Sequence, residues 1–219
     1  MKRITIFAGH YGSGKTNVAV NYALSLARDG KKVTIADLDI VNPYYRTKDS
    51  SEILEKHGVD LISSPYANTN VDVPALSPEA YRVTDDRSRY AVIDVGGDDR
   101  GALAMGRYAP KILEENDFEM LAVINRFRPL TPDPESTLEV MREIETACGI
   151  PFTGIVNNSN LGALTSVEDV LESAKYASEV SRLKGLPIVM TGVLSSLLPE
   201  VKDKIPNAFG IDIYVKAKI

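Results

Sequence analysis

Residues Gly9-His10-Tyr11-Gly12-Ser13-Gly14-Lys15-Thr16 satisfy the pattern G-x-x-x-x-G-K-[ST] at every specified position. They lie between a short apolar run, Ile4 to Ala8, and a stretch from Thr16 to Arg28 with apolar residues at helical spacing. A strand, a glycine-rich turn and a helix in that order leave few folds open. Gly9, Gly12 and Gly14 let the backbone bend so that successive N–H groups face one anion, and the helix adds its positive N-terminal end. In this arrangement Lys15 reaches the β- and γ-phosphates of a nucleotide and the Thr16 hydroxyl ligates Mg²⁺. His10, Tyr11, Ser13 and Asn17 complete the expected set of contacts around the phosphates.

The rest of the chain repeats the alternation. The pattern predicts strands over Lys32–Ala36, Val59–Ile62, Tyr90–Val95, Glu119–Asn125, Thr153–Asn157 and Pro187–Val193. Helices are predicted over Glu52–His57, Gly101–Asn116, from the proline-rich turn at Pro129 to Pro134 as far as Ala147, and over Val167–Lys184. Ser63 to Pro78, rich in Ser, Pro and Asn, reads as a long loop, and Ile211 to Val215 as an edge strand. Apolar strands alternating with helices imply an α/β protein, a three-layer P-loop fold with a mainly parallel sheet and helices on both faces. At 219 residues, one domain spanning 1–219 is expected. Ligands on such sheets bind beyond the carboxyl ends of the strands.

Acidic residues fall at those ends. Asp94 closes the apolar run Ala91-Val92-Ile93, where a buried carboxylate needs a partner such as magnesium, and Asp94-Val95-Gly96-Gly97 places Gly97 to offer its N–H to a γ-phosphate. Asp37 and Asp39 in Asp37-Leu38-Asp39 face the same way on an extended segment. One would support Mg²⁺ and the other would orient or activate the attacking water. Asn42-Pro43-Tyr44-Tyr45-Arg46 lies where a switch segment should sense the γ-phosphate; its aromatic and basic side chains serve either a partner or the packing of the segment. The run Asp98-Asp99-Arg100 reads as a solvated helix start and His57 as a surface residue.

Composition removes several functions. The net charge of −5, without a run of Lys or Arg, argues against DNA binding. No apolar stretch approaches the ~20 residues of a membrane span. The chain enters its first strand directly after Met-Lys-Arg, so a cytoplasmic protein is expected. The lone cysteine, Cys148, allows no internal disulfide and no paired-cysteine metal or iron–sulfur site; it is expected as a buried, inert thiol. Asn125-Arg126-Phe127-Arg128 lacks the carboxylate of the guanine-reading N-K-x-D motif, which favours ATP over GTP.

The phosphate loop, Ala36-Asp37-Leu38-Asp39, Val92-Ile93-Asp94 and Gly154-Ile155-Val156-Asn157-Asn158 together resemble the ParA/MinD-like branch of P-loop ATPases, the family that includes the nucleotide domains of cobyrinate diamide synthases. The resemblance implies a Mg²⁺-dependent ATP-binding protein, holding ATP or ADP, that acts as a switch on a partner protein. It assigns Asp39 as catalytic carboxylate beside Lys15, and Asp37 and Asp94 with Thr16 as magnesium-supporting groups. It also assigns an asparagine that contacts adenine, Asn158 by register with Asn157 as the competing position. The turn containing Leu194 and Ser195 forms the other wall of the base pocket. The family's extra lysine, which crosses a dimer interface, is replaced by His10, so a nucleotide-dependent homodimer does not carry over with the ATP site. An ATP-dependent biosynthetic enzyme of the dethiobiotin-synthetase or small-molecule kinase type, and an ATP-gated adaptor without hydrolysis, are the alternatives.

Overall fold

The computed structural model describes residues 1–38, 50–63, 81–97 and 99–215. Eight parallel strands form one sheet in the order β3-β2-β4-β1-β5-β6-β7-β8. They are β1 (Ile4–Ala8), β2 (Val33–Asp37), β3 (Asp60–Ser63), β4 (Tyr90–Asp94), β5 (Phe118–Ile124), β6 (Gly154–Asn157), β7 (Ile188–Leu194) and β8 (Ala208–Ile211). The helices are α1 (Lys15–Arg28), α2 (Ser51–Lys56), α3 (Arg82–Asp85), α4 (Asp99–Gly106), α5 (Ala109–Glu115), α6 (Pro134–Cys148), α7 (Val167–Lys184) and α8 (Leu198–Val201).

Strand alternation sorts the core onto the two faces of the sheet. Ile4, Ile6 and Ala8 of β1 pack with Ile93, Met105, Tyr108, Ile112 and Tyr176 on one face. Phe7 packs on the other with Val18, Leu24, Ile35, Leu54 and Val92. Strands β1 and β2 are buried along their whole length, as a sheet covered on both sides requires. Helix α7 begins with a full capping box, in which Ser166 and Asp169 satisfy each other's backbone N–H groups, and ends on Gly185 in the left-handed conformation.

Two expectations are corrected. The helix expected over Gly101–Asn116 is two helices, broken at Arg107 and Tyr108. Pro110 explains the break: it has no N–H to give and its ring would meet the carbonyl of Gly106, so the chain restarts with proline inside the first turn of α5. The edge strand expected over Ile211–Val215 lies earlier, at Ala208–Ile211. Residues 212–215 instead run along α1, held by two asparagines. Asn17 Oδ1 accepts from the Tyr214 and Val215 amides at 3.0 Å, and Asn21 binds both the N–H and the C=O of Asp212. Ile211 and Val215 are buried while Ile213 between them is exposed, so the alternation that imitated a strand does not mark one buried face. The short helices α3 and α8 had no sequence signal strong enough to predict them.

Candidate nucleotide site

β1 is the centre of the site because β4 and β5 flank it, and the segments that leave all three strands converge on the loop between β1 and α1. Gly12 and Gly14 adopt φ of 76° and 87°, which L-residues other than glycine rarely hold. Gly9 has a different reason: a Cβ there would overlap the Val123 carbonyl of β5. The turn is closed by the Ser13 amide donating to the His10 carbonyl at 3.1 Å, and the Val18 amide donates to the Gly14 carbonyl as α1 begins.

Lys15 is the first residue of α1 and is buried, with Nζ 3.4 Å from the His10 carbonyl. Gly97 packs on the same place, where a Cβ would lie 2.7 Å from the Tyr11 amide nitrogen and 2.8 Å from Lys15 Nζ. The loop after β4 therefore brings its glycine directly to the ammonium. His10 points its Nδ1 back to the Tyr11 carbonyl at 3.0 Å, and Tyr11 is about half exposed.

Thr16, Asp37 and Asp94 are all buried at the carboxyl ends of the strands and the start of α1. Asp37 and Asp94 are direct register partners across β2 and β4, so their side chains leave the sheet on the same side. Two adjacent carboxylates under a tenth exposed call for positive charge nearby. A hydroxyl and carboxylates are the oxygen donors that suit Mg²⁺, which takes one or two protein carboxylates and leaves the remaining positions to phosphate and water. Among the described residues no group of three or more His, Cys, Asp or Glu that could hold a metal ion gathers. Asp39 lies outside the described residues, as do Asn42 to Arg46, Asp98, and all of the Ser63–Pro78 loop except Ser63.

The structure separates the two candidate base readers. Asn158 donates from Nδ2 to the Ser13 carbonyl at 2.7 Å and lines a narrow cavity of about 40 Å³ with Gly14, Asn17, Asn160, Gly192 and Leu194. Asn157 points away: Nδ2 donates to Ser173 Oγ in α7, and Oδ1 accepts from Ser159 Oγ. The cause is the strand alternation itself, which sends adjacent side chains to opposite faces. Leu194 reaches the cavity, whereas Ser195 is exposed past the end of β7.

Two participants escaped the sequence reading. Gly192 interrupts β7 because a Cβ there would lie 2.5 Å from Asn158 Oδ1; a glycine inside a strand is the signal that marks such a close approach. Arg128 lies with its Nε and Cδ 3.5 and 3.6 Å from the Cβ position of Gly12, and nothing in the sequence around it announced that contact.

Residues 4–168 match the CobQ/CobB/MinD/ParA nucleotide binding domain. The chain belongs to this family. As a CobQ/CobB/MinD/ParA domain it is a nucleotide-binding P-loop protein with the fold expected from its motifs. Among curated proteins none matches it significantly. It is similar in fold to the cell division protein FtsY of Thermotoga maritima, at 20% identity and a TM-score of 0.59, covering 87% of this chain and 61% of that one. It is similar also to chloroplast FtsY of Physcomitrella patens, at 19% identity and a TM-score of 0.61, covering 88% and 59%. The Signal Recognition Particle 54 kDa protein of Aeropyrum pernix, solved in complex with GDP, matches at 21% identity and a TM-score of 0.56, covering 86% and 40%. The chain thus spans about three fifths of the two FtsY chains and two fifths of the third. Among the described residues no helix is long and apolar enough to cross a membrane.

Proposed function

We propose that residues 1–219 form a single domain that binds Mg²⁺-ATP, hydrolyses it, and uses the change of nucleotide to switch its grip on a partner protein. The observation that carries this reading is the contact of Gly97 with Tyr11 and Lys15 in the glycine-rich loop, with Asp37 and Asp94 paired at adjacent strand ends. The loop amides and Lys15 would hold the β- and γ-phosphates, and the Gly97 N–H would sense the terminal one. Thr16, with Asp37 and Asp94, would hold the magnesium ion, which neutralises charge developing on the phosphate oxygens. Asp39, two residues past Asp37, would orient the attacking water.

ATP is favoured by the state of Asn125. It is fully buried, its Nδ2 donates to the Asn160 carbonyl at 3.2 Å and its Oδ1 accepts from the Phe127 amide at 3.0 Å. Asn125 is thus fully buried and tied into its own turn, and Arg128 stands where a guanine-reading motif has its carboxylate. GTP is the second reading, favoured by the GDP held in one fold neighbour.

Calorimetric titration of Mg²⁺-ATP and Mg²⁺-GTP, with phosphate release measured in parallel, tests the proposal. The expected result is tighter binding of ATP, loss of affinity by at least about tenfold in Lys15→Ala, and loss of turnover with retained binding in Asp39→Ala. Wild-type affinity and turnover in Lys15→Ala would overturn it.

A further inference from the structure

Arg128 sits in the turn after β5 and reaches the phosphate loop from the side opposite Gly97, since β4 and β5 lie on either side of β1. Its Nε, Cδ and Cζ come within 3.5 to 3.8 Å of the Cβ position of Gly12, in the middle of the loop. Nε is buried and without a hydrogen-bond partner. Its side chain forms no ion pair among the described residues, whereas Arg3, Arg82, Arg87 and Arg182 all have acidic partners.

The turn that carries Arg128 is held in place. The Arg128 amide donates to the Asn125 carbonyl, the Thr131 amide donates to the Arg128 carbonyl, and Thr131 Oγ1 donates to the Asn125 carbonyl at 2.8 Å. Ser159 Oγ fixes the Arg126 amide from the next strand at 3.1 Å, and the Tyr176 hydroxyl fixes the Thr131 carbonyl at 3.2 Å. A buried guanidinium nitrogen on a turn braced by β6 and α7 is oriented before any ligand arrives. Arg128 as a whole is only partly buried, and an anion at the loop would give its buried Nε the partner it lacks.

The charge balance points the same way. A magnesium nucleoside triphosphate remains a dianion, and Asp37 and Asp94 bring two more carboxylates to the site, so a second cation beside Lys15 would improve the balance. Arg128 lies beside Gly12 in the middle of the phosphate loop, and the fork of donors on a guanidinium suits phosphate oxygens.

We propose that Arg128 is a phosphate-binding residue acting within its own chain, clamping the terminal phosphate of a bound nucleoside triphosphate against the Gly12 side of the loop. The inference rests on the nucleotide reading above and adds a second cation to it. It also gives the loop a positive group that needs no partner subunit, in a chain whose residue 10 is histidine.

The test compares Arg128→Met, which keeps the aliphatic stem against Gly12, with Arg128→Lys and Lys15→Ala, titrating each with Mg²⁺-ATP and Mg²⁺-ADP. Arg128→Met is expected to bind Mg²⁺-ATP about tenfold to a hundredfold more weakly, with a much smaller change for Mg²⁺-ADP. Arg128→Lys is expected to recover part of the loss, and the apo thermal midpoint of Arg128→Met to match wild type. Equal weakening for both nucleotides would mean that Arg128 only braces the loop, and would overturn the inference. Unchanged ATP binding in Arg128→Met with a loss in Lys15→Ala would overturn it while leaving the nucleotide reading intact. Unchanged binding in Lys15→Ala as well would remove both.

Discussion

Substituting Gly14 by alanine should damage the loop in two separable ways. At φ 87° an alanine pays the left-handed penalty of about 1–2 kcal/mol. Its Cβ would also overlap the Asn158 amide nitrogen, which donates to the buried Ser13 carbonyl at 2.7 Å. Displacing that amide breaks the bond and strands the carbonyl, for about 1–3 kcal/mol. Gly14→Ala is therefore expected to lose about 2–5 kcal/mol. Asn158→Ala alone loses the bond but keeps the backbone relaxed, for about 1–3 kcal/mol. Once Asn158 is gone, alanine at 14 has nothing to strike, so the double variant should retain only the backbone term from Gly14→Ala. The two losses should then fall short of additivity by about 1–3 kcal/mol. Urea unfolding of the nucleotide-free wild type, both single variants and the double variant measures this cycle. Strict additivity, or a Gly14→Ala variant within about 0.5 kcal/mol of wild type, would refute the reasoning.

Two further predictions concern groups away from the loop. Burial pushes the Cys148 thiol up to about 12, so at pH 8 its thiolate is on the order of one part in ten thousand. Native protein should resist a thiol-specific disulfide reagent until denaturant is added; equal rates with and without denaturant would contradict the burial. The Arg3 guanidinium holds the Glu115 carboxyl below its ordinary value, and also donates to the Val83 and Arg89 carbonyls. A lowered folded-state value means stability that is present above the ordinary glutamate range, near pH 4.5, and lost as pH falls through the lowered one. Glu115→Gln should cost about 1.5–3 kcal/mol at pH 7, and that gap to wild type should close in acid. A gap that stays constant from pH 7 to pH 3 would show that the charge contributes nothing.

The fold was legible because its signals are local. A strand buried on both faces reads as an unbroken apolar run, and helices α6 and α7 carry their caps at Asp133 and Ser166. Where prediction failed, a local pattern met a constraint from elsewhere. The helical spacing from Gly101 to Asn116 continued straight through the break that Pro110 imposes. The apolar alternation from Ile211 to Val215 ran on past the strand, where Ile213 is exposed and Asn17 and Asn21 claim the backbone that a strand would have needed.

The candidate site divides along the same line. Gly9 to Thr16, Asp37 and Asp94 could be named from the sequence, because a bound phosphate demands particular residues at fixed spacing along one stretch of chain. The pairing of Asp37 with Asp94, the bond from Asn158 to Ser13, the need for glycine at 192 and the approach of Arg128 to Gly12 all join residues far apart in the chain. Those contacts exist only because parallel strands align their carboxyl ends, and sheet order and register arise from packing the whole core. The sequence alone thus determined the fold class and the phosphate loop. The tertiary structure decided which distant side chains surround that loop.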